Sequence, residues 1–305
     1  MDPYRLSTDI KFANQIAQTL NIDERMKLQI ALQKINDSES IIPEDKLDQV
    51  LFWGRIEGTV KDYYIALGLQ LNVYEFPKKK FYWSSNDFVF KELPEINLEY
   101  KSQVDGFRAP FKGQHDDILI AVPEGDGGQD NAAQDNDGQP VDVDPLAETD
   151  QDLDIKKPPK PFTELDRLAY VVRSIDQDCT ALPVGALKLT PTHQLRYNET
   201  FKGLSMTEAL KLQNYQHFKP AATEEKLEFI SRGEAVFAYD FLDPLTTDLP
   251  KGCWSVHTDS SKTEVTVRSL LWPGYLTYHR ANSNIFGFVY FGDGIKNIDL
   301  PFLLQ

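Results

Sequence analysis

Apolar residues near the start of the chain recur with the period of a helix. Phe12, Ile16 and Leu20 stand four apart with Ala13 and Ala17 beside them. Leu28, Ala31, Leu32 and Ile35 then repeat at i, i+3, i+4 and i+7. The two stripes predict two amphipathic helices between about residues 8 and 36, broken at Asn21-Ile22-Asp23, with Asp23 as the N-cap of the second. Beyond Pro43 the period falls to two. Val50, Phe52, Gly54 and Ile56 share one face of an extended run, and Leu51, Trp53, Arg55 and Glu57 share the other. A second run, 62–67, follows a connection containing Gly58, which predicts a β-hairpin. Lys78-Lys79-Lys80 reads as a solvated basic turn ahead of an aromatic strand, Phe81-Tyr82-Trp83.

The pattern then stops. From Glu124 to Lys160 there is no aromatic residue, and Gly, Gln, Asn, Asp and Pro dominate. Such a stretch buries too little apolar surface to offset its backbone entropy, so a disordered linker is expected. Periodicity resumes at Phe162, where the spacing of Leu165, Leu168, Tyr170, Val171, Val172 and Ile175 suits a helix or a strand. Residues 181–187 read as extended. Ser205 and Glu208 form a capping box with Leu204 placed for a hydrophobic staple, and the helix they start is expected to reach about His217, ahead of Pro220. From Pro250 onward, short aromatic and β-branched runs alternate with Gly, Pro, Asn and Asp, the pattern of an antiparallel meander. Within it, Trp272-Pro273-Gly274 predicts a strand end and a type II turn with Gly274 at positive φ.

The expected fold is α+β. Residues 1–120 supply N-terminal helices with aromatic β-hairpins, 121–161 an acidic disordered linker, and 162–305 a C-terminal antiparallel β-meander with a short helix. Periodicity leaves open whether the two ordered regions share one core.

Composition adds exclusions. A chain 41% hydrophobic and 26% charged has the balance of a soluble globular protein. No apolar run approaches the roughly 20 residues of a membrane span, so no membrane partner is expected. The first residues lack the apolar core of a secretory signal, and two cysteines make no disulfide framework, which points to a reducing cytosolic setting. Eleven carboxylates and no Lys or Arg fall between Ala121 and Ile155, leaving −4 of the net charge of −15 for the rest. No basic stripe remains, so nucleic acid is not an expected partner.

Candidate chemistry is sparse. Around Ser205 a nucleophile elbow would need glycine where Thr207 stands, and the capping box already accounts for the serine. The acidic stretch does not fit a calcium loop: Gly138 as its central glycine puts Ala133 at the first ligand position, and Gly128 puts Pro123 there. Cys253 and His257 on one strand stand roughly 13 Å apart, too far to share a metal ion. Gly292-Asp293-Gly294 reads as a hairpin turn, and His115, His193, His217 and His279 stand singly. No catalytic, cofactor-binding or metal residue is assigned, and no cofactor is expected.

Several ordered blocks carry a resemblance. Val50-Leu51-Phe52-Trp53-Gly54-Arg55-Ile56-Glu57-Gly58, Arg268-Ser269-Leu270-Leu271-Trp272-Pro273-Gly274, Gly287-Phe288-Val289-Tyr290 and 296–302 resemble the radial spoke head protein 9 family. The first block and Phe81-Tyr82-Trp83-Ser84-Ser85 are also similar to the related spoke head proteins 4 and 6. The resemblance covers most of the chain and weakens between about residues 99 and 161, where the acidic insert departs from the family. It implies a non-catalytic subunit of the axonemal radial spoke head, in the cytoskeleton of cilia and flagella. Implied partners are other spoke head subunits and, indirectly, the central apparatus. The alternatives are a spoke head protein of the 4 and 6 type, or a cytosolic enzyme with a site built from scattered loops. Trp53, Tyr64, Trp83, Trp254 and Trp272 are the candidate interface or core anchors.

Overall fold

An eight-stranded sheet organises the molecule, and both ends of the chain supply its strands. The computed structural model describes residues 1–16, 20–37, 46–96, 100–120 and 161–304; the stretch expected as a linker, Glu124 to Lys160, lies outside them. The helices are α1 (Leu6–Asp9), α2 (Ile22–Asp37), α3 (Lys101–Gly106), α4 (Glu164–Cys179), α5 (Met206–Ala209), α6 (Glu224–Ser231) and α7 (Leu300–Leu303). The first strands are β1 (Gln49–Ile56), β2 (Tyr63–Gln70), β3 (Lys78–Ser84), β4 (Lys91–Glu92), β5 (Ile118–Ile120), β6 (Phe162–Thr163) and β7 (Ala181–Pro183). They are followed by β8 (Leu187–Leu189), β9 (Leu195–Tyr197), β10 (Tyr215–His217), β11 (Trp254–Thr258), β12 (Glu264–Ser269), β13 (Tyr275–Arg280) and β14 (Phe286–Gly292).

The strand order in the large sheet is β11-β12-β13-β14-β1-β2-β3-β4. The N-terminal hairpins and the C-terminal meander meet where β1 and β14 pair in parallel, with Gly54 opposite Tyr290. The two ordered regions therefore share one sheet. At the junction the backbones approach so closely that a Cβ on Gly54 would overlap the Tyr290 carbonyl oxygen. Strands at the centre of the sheet are covered on both faces, which is why β1 and β2 read as nearly continuous apolar runs.

The N-terminal helices cover one face. Leu6, Ile10, Phe12, Leu28 and Leu32 pack on Val50, Phe52, Tyr64, Tyr278 and Phe291, and Phe12 stacks on Tyr278 with ring centroids 4.5 Å apart. The first expected helix is tighter than its spacing predicts: α1 passes into a 3-10 segment, Ile10–Ile16. In that winding Ile10 and Ala13 eclipse and both reach the sheet. The N-cap of α2 is Asn21, not Asp23. Asn21 Oδ1 accepts from the Glu24 amide, and Glu24 Oε2 accepts from the Asn21 amide, each at 2.8 Å. Asp23 instead sits in the first turn, where a carboxylate favours the helix dipole.

α4 covers the opposite face, resolving the ambiguous run after Phe162 as a helix. The Thr163 hydroxyl accepts from the Asp166 amide and the Asp166 carboxylate accepts from the Thr163 amide, a capping box one methylene short of the usual Glu. Leu168, Val172 and Ile175 pack against Trp53, Ile65, Trp83 and Tyr290 in the larger core. A β-bulge at Trp53, between the pairs Phe52–Ala66 and Gly54–Ile65, shifts the phase of β1. Ile56 consequently joins Leu51 and Trp53, where strict alternation places it with Val50 and Phe52.

Three further expectations are corrected. Lys78, Lys79 and Lys80 open β3 and form no solvated turn. The Lys79 ammonium is mostly buried, donating to Asp176 Oδ2 and to the Phe218 carbonyl oxygen at 2.6 Å each, beneath the Phe218 ring. Replacing it with methionine strands the Asp176 carboxylate, which keeps the Thr180 hydroxyl as a donor. Lys79→Met is expected to cost about 2–3 kcal/mol, toward the lower side of a broken buried pair, read by urea unfolding at pH 7. Secondly, α5 stops at Ala209 and does not run to His217. The Ala209 carbonyl accepts from Tyr215 Oη, Asn214 Nδ2 caps the Glu208 carbonyl, and β10 pairs with β7. Sheet pairing there overrides local helix propensity. Finally, Gly292-Asp293-Gly294 is the exit of β14 and not a hairpin turn; the Gly294 amide donates to Tyr290 Oη at 2.9 Å.

Candidate functional site

The five aromatic anchors all lie inside. Trp53, Tyr64, Trp83, Trp254 and Trp272 are each less than a tenth exposed. A buried indole or phenol must find a partner for its polar tip, and four do so internally. Trp53 Nε1 donates to Asp176 Oδ1 (3.4 Å), Trp254 Nε1 to Asp248 Oδ2 (2.8 Å), Trp272 Nε1 to Asp178 Oδ2 (2.9 Å) and Tyr64 Oη to Glu24 Oε1 (3.2 Å). Trp83 packs edge-on against Tyr63, with the Lys91 ammonium 5.8 Å from its ring centre. Asp176 and Asp178 both lie on α4, so this helix ties β1 to the Trp272 turn.

Sequence reasoning missed a buried and heavily bonded acid, Glu164. It is 1% exposed at the first turn of α4. Its carboxylate accepts from Tyr63 Oη (2.7 Å) and from the amides of Lys112, Gly113 and Gln114 (2.8–3.0 Å). The successive amides make a small anion nest, filled by a side chain of the same chain. A carboxylate as first helical residue is the only sequence signal, and it resembles ordinary dipole compensation.

A histidine–carboxylate pair lies close to a buried thiol, and the thiols are not activated. His217 Nε2 lies 2.9 Å from both oxygens of Asp248, and Asp248 also lines a small cavity of about 160 Å³ with Cys253. Burial, reinforced by Asp248, pushes the Cys253 thiol up to about 11, and burial raises the Cys179 thiol as well. Both shifts run against thiolate nucleophilicity. Cys253 is buried, whereas His257 is exposed and bonded to Ser255 Oγ at 2.7 Å. Among the described residues no group of three His, Cys, Asp or Glu side chains is placed to hold a metal.

His279 couples two loops through one tautomer. Its Nε2 accepts from the Leu204 amide at 3.0 Å, so Nδ1 carries the proton and donates to the Ile285 carbonyl at 3.1 Å. Burial lowers its pKa from the ordinary 6.5. The unfolded chain therefore binds this proton first as pH falls below about 6.5, and the native state loses stability from there downward. Urea midpoints between pH 7.5 and 5.5 should fall more steeply for the wild type than for His279→Gln, which has no imidazole to titrate.

Among the described residues, exposed apolar side chains gather on α2 and near the C-terminal end. Ile22, Met26 and Ile30 form an exposed ridge on α2, bordering a groove of about 660 Å³ walled by Ile35, Phe88 and Phe90. Leu249, Phe302 and Leu303 are exposed near the C-terminal end. Among the described residues the α2 groove gathers no converging titratable groups: Lys27 and Lys34 stand on its rim, and Asp87 Oδ1 is held by Ser84, Ser85 and the Val89 amide. Such surfaces suit docking better than turnover.

No protein-family model matches the chain. Curated relatives do, along their whole length. The chain is 33% identical to proteins of Bos taurus and Homo sapiens, over 304 residues that cover 100% of each partner, and 32% identical to one of Danio rerio over 310 residues. All three carry the name radial spoke head protein 9 homolog.

Proposed function

The chain belongs to the radial spoke head protein 9 family, and from that premise we propose that it is a non-catalytic structural subunit of the axonemal radial spoke head. In this reading it is needed to assemble the spoke head and to regulate the bending of cilia or flagella. Its partners are other spoke head subunits, including those of the 4 and 6 type, and it meets the central apparatus only indirectly. Full-length identity to relatives named for the spoke head is the observation that carries the reading. The interior supports it. Aromatic anchors fill the core, both thiols are raised out of the reactive range, and the exposed apolar ridge of α2 offers a surface for neighbours.

Crosslinking mass spectrometry on isolated axonemes tests this directly. Crosslinks from the chain should fall on spoke head subunits, and cryo-tomograms of cells lacking the chain should show reduced spoke heads and an abnormal waveform. Normal spoke heads and beating, alongside a defined metabolic defect, would refute the scaffold and favour an enzyme.

A further inference from the structure

Among the described residues β11 is the outermost strand of the large sheet on the meander side, and its own length, pairing and sequence lack the devices that usually guard an edge. It is five residues long, runs without a bulge against β12, and contains neither lysine nor proline. The opposite edge strand, β4, has two residues, one of them Lys91. The orientation of the backbone groups of β11 follows from its register. The Leu270 amide donates to the Cys253 carbonyl and the Asp259 amide to the Glu264 carbonyl, so odd-numbered residues of this strand bond to β12. Alternation in an antiparallel ladder then turns the N–H and C=O of Trp254, Val256 and Thr258 outward.

Arg268 adds a second, independent observation. It lies on β12 directly opposite Ser255, on the face that Leu276 shares. Its Nε is buried without a partner among the described residues. Burial lowers its pKa, with no carboxylate among the described residues to offset the cost. Strands are spaced about 4.8 Å, so a residue opposite Ser255 on an added strand would stand roughly 10 Å from the Arg268 Cα. The serine between them is small. That gap is within the combined reach of a guanidinium and an acidic side chain extended toward each other.

We infer that the open edge of β11 receives an extended segment of another protein as a further strand, bearing an Asp or Glu that pairs with Arg268. Main-chain bonds to Val256 and Thr258 supply the affinity, and the carboxylate selects the register. On the core side, beside Val256, the segment carries apolar residues. The proposal goes beyond the spoke head reading and does not depend on it.

The test uses the purified full chain and three fluorescein-labelled ten-residue peptides alternating Thr and Val, with a central Asp, Lys or Ser. Anisotropy titrations should show the Asp peptide binding at least tenfold more tightly than the Lys peptide. Arg268→Glu should reverse that order. Val256→Pro should abolish binding while thermal unfolding stays close to wild type, because the lost N–H serves no ladder bond. Thr258→Pro makes the same test at an exposed position where no core packing is at stake. The idea fails if no peptide binds the wild type, or if folded proline variants bind as well as it does. It also fails if sedimentation shows a wild-type dimer that Val256→Pro dissolves, since the occupant is then a second copy. None of these results bears on whether the chain resides in spoke heads, which the axonemal crosslinks decide separately.

Discussion

Gly274→Val should be the most damaging single substitution in the meander, lowering stability by about 2–6 kcal/mol. Two separate costs add here. Gly274 adopts φ +100°, and the Tyr275 amide closes the turn onto the Trp272 carbonyl at 3.1 Å. A side chain in that conformation carries roughly 1–3 kcal/mol of backbone strain. Its Cβ would also overlap the Phe291 carbonyl oxygen and lie 2.6 Å from the carbonyl carbon. The neighbour it strikes is backbone, held by the Phe291 amide bonding to the Gly274 carbonyl at 3.0 Å. Relieving the overlap means parting β13 from β14 near the strand that joins the two halves, which adds about 1–3 kcal/mol of overpacking. Typical domains have only about 5–15 kcal/mol in total. Thermal unfolding of the purified variant should move down by about 4–10 °C, and a shift under 2 °C would mean that the turn can rearrange at little cost. In cells, spoke-head occupancy seen by cryo-tomography should fall with it.

Glu164→Ala should cost a comparable amount, about 3–5 kcal/mol, through a different mechanism. The substitution leaves three consecutive amides and the Tyr63 hydroxyl without their acceptor in a buried site. It also removes the side-chain tie between the first turn of α4 and the segment after Phe111, leaving the backbone bonds of Glu164 to Asp117 and of Leu165 to His115. Glu164→Gln is the informative control. Its carbonyl oxygen still serves two of the amides, but its NH2 faces the Lys112 amide, donor against donor, so an intermediate loss of about 1–3 kcal/mol is expected. Chemical denaturation of the pair should rank wild type, Gln, Ala. Equal stability of all three would show that water replaces the carboxylate and that the nest is a surface feature.

Much of the local structure was legible because it is written in short-range terms. The Ser205–Glu208 capping box, the Pro273-Gly274 turn with its positive φ, the strands of the meander and the buried stripe of α2 all appear where spacing and turn chemistry place them. Each depends on residues no more than about four apart, or on a repeat within one element. Where a second local signal competed, the reading slipped by a residue or two, as when Asn21 and not Asp23 capped α2. The Thr163–Asp166 box that starts α4 was also within reach, had Asp been allowed in place of Glu.

The docking edge and the sealed acid site were not legible, because no local rule states which strand ends on the outside or which amides surround a carboxylate. Lys79 looks like surface charge until Asp176, 97 residues away, arrives beneath it. Tyr215–His217 continues a helical pattern until Ala181–Pro183 offers a strand to pair with. The sequence by itself determined the elements, their caps and turns, the aromatic make-up of the core and the family blocks at both ends. Only the tertiary structure decided that β1 and β14 would lie side by side in parallel and fuse the two halves. That pairing rests on the absent Cβ of Gly54 at the point where it passes the Tyr290 backbone. Tertiary packing also left β11 as an edge and, among the described residues, the Arg268 Nε beside it without a partner. Contacts between residues more than two hundred positions apart depend on the shape of both surfaces at once, and neither strand carries that information alone.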